Sequence, residues 1–243
     1  MANKLAVAGL SLLAVAVIDI DSSAYTAEAT WHVNSRDKST GIAAMAVHSK
    51  DRMILLETAA TVDSTAGLVI RARVTNKDSH GLLLLDRLWT LNPESRTIAD
   101  PDRIYRFFAS GRLLLLLGAA PLPRDRTVMF ANYPHASLIG PGQSRDIEIA
   151  LAPPVKDHSF YYPELPEQDY ENAAVKTVQL VVQYIRSADT VEVLPSPEDS
   201  SELIISAADA FDRIDSLAGN EIPLMFTMQR RKQRIEGPIL PSD

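Results

Sequence analysis

The chain has no cysteine. This excludes disulfides, thiolate metal sites, a cysteine nucleophile and a lipidated N-terminal cysteine. No asparagine stands in an N-x-Ser/Thr sequon. There is no Gly-x-Ser-x-Gly elbow, no phosphate-cradling glycine loop and no Gly-x-Gly-x-x-Gly, so the local signatures of nucleophile-elbow hydrolases, P-loop enzymes and dinucleotide binders are missing. His32, His48, His80, His135 and His158 are the histidines, and none lies two or four positions from another. No local metal clip follows from that spacing. Basic residues are the minority, 24 Lys and Arg against 31 Asp and Glu, for a formal net charge of -7, which argues against nucleic acid as the main partner.

What the chain does have is length and ordinary globular composition. Its 243 residues, 46% hydrophobic and 23% charged, suffice for a substantial core. Lys4 precedes an apolar run from Leu5 to Ile18, followed by the small-residue patterns Ser22-x-Ala24 and Ala27-x-Ala29. The run is short for a transmembrane helix and suits a signal peptide over residues 1–24, with a buried first strand as the alternative. The expectation is an exported, periplasmic or secreted protein with no transmembrane segment after cleavage. The same stretch ends Asp19-x-Asp21, the spacing of a phosphoryl-transfer nucleophile and its acid/base partner. The chain lacks the Asp-Asp or Gly-Asp pair that would complete the usual magnesium site. Ser35-x-x-Lys38 matches the first motif of serine penicillin-binding enzymes in spacing, but neither Ser-Asp-Asn nor Lys-Thr-Gly accompanies it.

The body reads as short strands. In Ile104 to Leu117 two apolar runs flank Ser110-Gly111. Glycine supplies the positive φ of a two-residue hairpin turn. That loop pairs Ala109 with Arg112, Phe107 with Leu114 and Tyr105 with Leu116. Leu113 to Leu117 is apolar at every position, so its strand needs cover on both faces. Leu68 to Thr75 alternates: Leu68, Ile70, Ala72 and Val74 face the core, and Val69, Arg71, Arg73 and Thr75 face solvent. Arg145 to Leu151 alternates likewise, with Ile147, Ile149 and Leu151 inside. Val178, Leu180, Val182 and Tyr184 mark one face of a central strand. Further strands are expected at Ile42 to His48, Met53 to Glu57, Leu82 to Leu85, Thr127 to Ala131, Ala136 to Ile139 and Ile222 to Gln229. Thr90 to Arg103 reads as a polar loop. Turn signals at this spacing predict an antiparallel, immunoglobulin-like β-sandwich over residues 25–195.

Residues 196–243 change character. Ser196-Pro197-Glu198-Asp199 has the order of a helix start. Leu203, Ala207, Ala210, Phe211, Ile214 and Leu217 recur at helical spacing before Gly219. The expectation is a short amphipathic helix, then a strand and a basic tail.

Two stretches carry candidate contact residues. Residues 153–170 place Tyr161, Tyr162 and Tyr170 among Glu164 and Glu167. Such residues either anchor a partner or form the small core of a loop folded over the sandwich. Arg230, Arg231, Lys232 and Arg234 form a compact basic cluster, either an anion contact or a strand end paired with nearby acids. His135 and His158 flank strands at the two ends of one turn-rich region and are the candidate metal ligands if folding joins them.

Parts of the middle resemble the first domain of periplasmic pilus-assembly chaperones. The matching features are Asn76 in a turn, Leu82 to Leu85 running to Trp89, and Leu122-Pro123-x-Asp125-Arg126 followed by Phe130 and Asn132. The match covers less than half the chain. It implies a strand edge that bonds a subunit and two basic residues that hold a carboxylate. Arg52 is the match for the first of these, and the second falls where this chain has its Pro-rich loop, with no residue assigned to it. The reading is a non-enzymatic binding or assembly module of a bacterial envelope that contacts a protein or envelope component, with no cofactor. A chaperone-like subunit binder and a metal-assisted hydrolase built on histidines and carboxylates are the alternatives.

Overall fold

The computed structural model describes residues 44–48, 53–63, 67–91, 97–99, 104–123, 125, 127, 134–162, 164–186, 191–196, 202–205 and 212–233. The expected export signal, Asp19, Asp21, Ser35, Lys38, Arg52 and all of Thr127 to Ala131 except Thr127 lie outside them.

Two sheets face each other. The smaller has four strands in the order β1 (Ala44–His48), β2 (Ile54–Asp63), β3 (Gly67–Asn76) and β10 (Ser144–Leu151), all antiparallel. The larger is organised on β11 (Tyr170–Arg186), a strand of 17 residues. One side of β11 takes β8 (Arg112–Leu117) in parallel and β4 (Leu82–Arg87) antiparallel. Beyond β8 lies β7 (Tyr105–Ala109). Beyond β4 lie β9 (His135–Ile139), β13 (Leu203–Ile205) and β12 (Val193–Pro195). The other side of β11 takes β14 (Ile214–Ala218) and β15 (Ile222–Arg231), both antiparallel. Val181 faces Ala218 and Val178 faces Ile222, so three steps on β11 match four on its partner. β14 and β15 therefore act as one long strand broken by a bulge.

The core between the sheets is built by alternation. Leu68, Ile70, Ala72 and Val74 of β3 and Ile149 and Leu151 of β10 meet Leu113, Leu115 and Leu117 of β8 and Val178, Leu180, Val182 and Tyr184 of β11. The opposite face of the larger sheet is also covered. Phe107, Leu114, Leu116 and Val181 pack under Tyr162 with Phe160 and Tyr161, while Leu83, Leu85, Ala136 and Ile185 pack under Val191 and Ile205. This double cover explains why β8 carries no polar residue after Arg112. Burying each such leucine is worth roughly 1.5–3 kcal/mol.

The β7–β8 hairpin has the expected register, with Ala109 opposite Arg112, Phe107 opposite Leu114 and Tyr105 opposite Leu116. Both turn residues are left-handed, Ser110 at φ 54° and Gly111 at φ 84°. Two positive φ values are what a primed turn needs to follow the strand twist.

Two expectations are corrected. Where the C-terminal segment is described the expected helix positions lie on strands: Leu203 belongs to β13, and Ile214 and Leu217 belong to β14, with only a 3-10 turn at Asp212 and Arg213 before it. Ala207, Ala210 and Phe211 lie outside the described residues. Helical spacing of so few apolar positions also fits two short β runs. The unfilled flank of β11 supplies backbone partners that outweigh local propensity. Pro197, Glu198 and Asp199 of the expected helix start lie outside the described residues; Ser196 is buried, and its N–H donates to the Glu202 carbonyl at 2.8 Å. The loop expected from Thr90 contains a small hairpin, β5 (Trp89–Leu91) with β6 (Thr97–Ala99). Among the described residues no helix is long and apolar enough to cross a membrane.

Candidate binding sites

After Pro153 and Pro154 the chain alternates again: Val155, Asp157 and Ser159 are buried, and Lys156 and His158 less so. This segment lies between two strand edges. Arg106 N–H of β7 donates to the His158 carbonyl at 2.9 Å, and His158 N–H to the Arg106 carbonyl at 3.0 Å. On the other side Asp157 N–H donates to the Gln229 carbonyl of β15 at 3.1 Å, and Gln229 N–H to the Val155 carbonyl at 2.8 Å. Residues 155–158 thus act as a strap that closes β7, β8, β11 and β15 into a ring.

Charge seals the strap. Asp157 and Arg231 are both buried; the Arg231 N–H donates to Asp157 Oδ2 at 2.9 Å, and Arg231 Nη2 to the Tyr162 carbonyl at 3.0 Å. Burial pushes the Asp157 carboxyl above its ordinary range, against the pull of Arg231, Arg106 and Arg230. Arg106 Nε donates to the Lys156 carbonyl at 2.6 Å. Lys156 pairs with Glu167 and lies 5.0 Å from the Tyr170 ring centre. The Glu167 hydrogen bond holds the Lys156 ammonium above its usual range. A cleft of about 310 Å³ opens here, lined by Arg106, Lys156, Asp157, Glu164, Tyr170 and the backbone end of β10.

The two candidate stretches therefore form one place. Tyr162 is buried and its hydroxyl donates to Asp125 at 2.9 Å; Tyr161 packs edge-on to Phe160 with ring centres 5.5 Å apart; Tyr170 is buried between Lys156 and Arg231. Glu164 and Glu167 stay exposed at the rim. The basic cluster is split by strand alternation. Arg230 points outward, donating to Glu171 at 2.7 Å, Arg231 points inward, and the Lys232 backbone N–H bonds the Asp169 carbonyl at 2.9 Å. The sequence reading missed Asp157, Lys156 and Arg106. Its one usable signal was the period of two in Val155 to Ser159, which is hidden because polar residues fill buried positions.

The structure does not bring His135 and His158 together. His158 stacks on Tyr105 of β7 with ring centres 6.3 Å apart. His135 sits on β9, beyond β4, whereas His158 bonds β7, beyond β8, and the His135 Nδ1 is 3.3 Å from Glu202 Oε2. Among the described residues no group of three or more His, Asp or Glu is placed to hold a metal ion. Asn76 holds a turn together, its Nδ2 donating to the His80 and Ile139 carbonyls at 2.8 and 2.9 Å.

A second place emerges at the side of β10 turned away from β3, where Ala150 and Leu151 run into the cleft. Asn76 N–H donates toward Gln143 at 2.9 Å, and Lys77 N–H toward Met53 at 2.7 Å. Alternation then turns Thr75, Arg73, Arg71 and Val69 toward β2. Their opposites on β10, Ser144, Asp146, Glu148 and Ala150, present N–H and C=O away from β3. Among the described residues β3 is the one strand bonded to β10. Arg145 turns inward from this edge and donates to buried Asp86 of β4 at 2.8 Å, tying the two sheets.

Compared with known proteins, the chain matches no protein-family model, no curated protein and no solved structure.

Proposed function

We propose that this chain is a non-enzymatic binding or assembly module of a bacterial envelope that takes an extended segment of a partner protein along β10. One observation carries the reading: alternate residues of β10 direct outward backbone donors and acceptors that no other described strand takes up, on a strand fixed from behind by β3. An extended chain laid there gains main-chain hydrogen bonds, and pockets along the edge select its side chains. Arg106 and Asp157 of the neighbouring cleft hold the strap, which closes the end of the edge.

The apolar N-terminal run supports export to the periplasm or beyond. A chaperone that binds subunits is the narrower form of this reading, supported by the sequence resemblance around Asn76 and Asp125. An immunoglobulin-like origin of the sandwich fits the same role, supported by two facing, mostly antiparallel sheets; the parallel β8–β11 pair departs from that pattern.

The test is cell fractionation with mass spectrometry of the mature N-terminus, combined with a photo-crosslinking residue at Glu148 or, as control, at exposed Glu192. The expected result is an envelope-fraction protein that crosslinks one defined partner from position 148 and not from 192. Equal labelling from both positions, or none from 148, removes the edge as the contact. Glu148→Pro refines the test when compared with Glu148→Ala, because both lose the carboxylate that accepts from Arg71, and only the proline also deletes an outward N–H while sparing the backbone bonds to β3.

A further inference from the structure

We infer that the segment received by β10 carries basic residues at alternate positions; this rests on the edge reading above and adds the chemistry of the partner. The outer face of the four-stranded sheet is laid out in rows that cross the strands. In one row Glu57 of β2 stands opposite Arg73 of β3, which stands opposite Asp146 of β10. Arg73 Nε donates to Asp146 Oδ1 at 2.6 Å and Nη2 to Oδ2 at 2.9 Å. The Arg73 bond holds the Asp146 carboxyl below its usual range, and both Asp146 and Glu57 raise Arg73. In the next row Arg71 of β3 donates to Glu148 of β10 at 2.7 Å.

Each row thus ends on a carboxylate at the open edge. These end groups stay in water, with Asp146 and Glu148 side chains 68% and 61% exposed. Each ionised carboxylate accepts more hydrogen bonds than one guanidinium fills. Opposite charges directly across a strand pair are favourable and like charges are not. A fifth strand therefore continues the alternation with Lys or Arg opposite Asp146 and Glu148. These two positions lie two residues apart on the incoming chain and share its outer face. Its intervening residues face inward beside Ile147, which packs partly buried against the core, and apolar side chains suit them.

The same rows disfavour a second copy of this chain. In the two antiparallel self-pairings that overlap β10 most fully, Asp146 meets Glu148 or Glu148 meets itself. The formal net charge of -7 adds long-range attraction for a basic segment and repulsion between copies.

The experiment uses the full chain and three eight-residue peptides, alternating Val-Lys, Val-Gln and Val-Glu. Binding is measured by titration, and contact by amide hydrogen exchange. The expected order is Val-Lys tightest, roughly three- to tenfold over Val-Gln for two exposed pairs, with Val-Glu weakest. Slowed exchange should fall on Asp146, Glu148 and Ala150, and the preference should shrink as salt rises. Asp146→Lys with Glu148→Lys should reverse the order toward Val-Glu. An Asp146→Asn, Glu148→Gln pair keeps the side-chain shapes and should abolish the preference without loss of fold. Equal protection of β10 by all three peptides overturns the charge inference and leaves the edge reading standing. Absence of β10 protection with every peptide overturns both.

Discussion

Arg231 Nε lies 3.5 Å from Asp157 Oδ1, and the two side chains are 3% and 5% exposed. Asp157 belongs to the strap and Arg231 to β15, so this pair joins two pieces of chain that are distant in sequence. Both charges have left water. Desolvation of such a pair offsets most of its attraction, and its removal by halves is costly.

The first prediction follows from that asymmetry. Arg231→Met leaves Asp157 buried without its countercharge and should cost about 3–5 kcal/mol. Replacing both residues together, Arg231→Met with Asp157→Asn, whose side-chain oxygen still accepts the N–H of position 231, should recover part of the loss. Urea unfolding midpoints of the single and double variants check this. A double variant as unstable as the single one would mean the loss arises elsewhere.

Asp157 also sets a pH dependence. Burial raises its folded pKa above the unfolded value near 3.8. Between those two values the folded state holds a proton that the unfolded chain has released. Asp157 therefore opposes folding increasingly as pH rises from about 3.8 through the raised value, and has no such effect below it. Asp146 and Asp78, whose pKa values are lowered, contribute with the opposite sign, so the comparison must be between variants. Asp157→Asn should remove a descending component from the plot of unfolding free energy against pH. Identical slopes in the two proteins would contradict the assignment.

Gly67 begins β3 with φ 80°, and a Cβ built there would lie 2.0 Å from the Leu151 carbonyl oxygen of β10. Left-handed strain alone costs about 1–2 kcal/mol, and the obstacle is backbone. Gly67→Ala should destabilise by roughly 2–4 kcal/mol and loosen the end of β10, read as faster amide exchange at Leu151.

Ser110 offers the opposite change. It holds φ 54° without being glycine. Ser110→Asn or Ser110→Gly should stabilise the β7–β8 turn by several tenths to about 1 kcal/mol, visible as a raised thermal midpoint. A lowered midpoint in both would show that the Ser110 side chain has another task.

The all-apolar run in β8 shows the reach of core tests. Leu115 is fully buried between the sheets, and Leu115→Ala should cost about 2–5 kcal/mol by cavity formation. Differential scanning calorimetry gives the check.

The sequence by itself determined the strands whose two faces differ or are both buried. Leu68 to Val74, Ile147 to Leu151, Val178 to Tyr184 and the Ser110-Gly111 hairpin were legible because a period of two and one permissive turn each act over a few residues. Tertiary structure alone decided three things. It put Leu203 on β13 beside β9 and Ile214 and Leu217 on β14 beside β11, because those strands offered backbone partners that local spacing does not encode. It set Asp157 on Arg231, because a strap finds its strand edges only once the sheet exists. And it left β10 with one neighbour among the described residues and rows that end in carboxylates, since strand order depends on which distant segments meet, while apolar periodicity reports only which face of each segment avoids water.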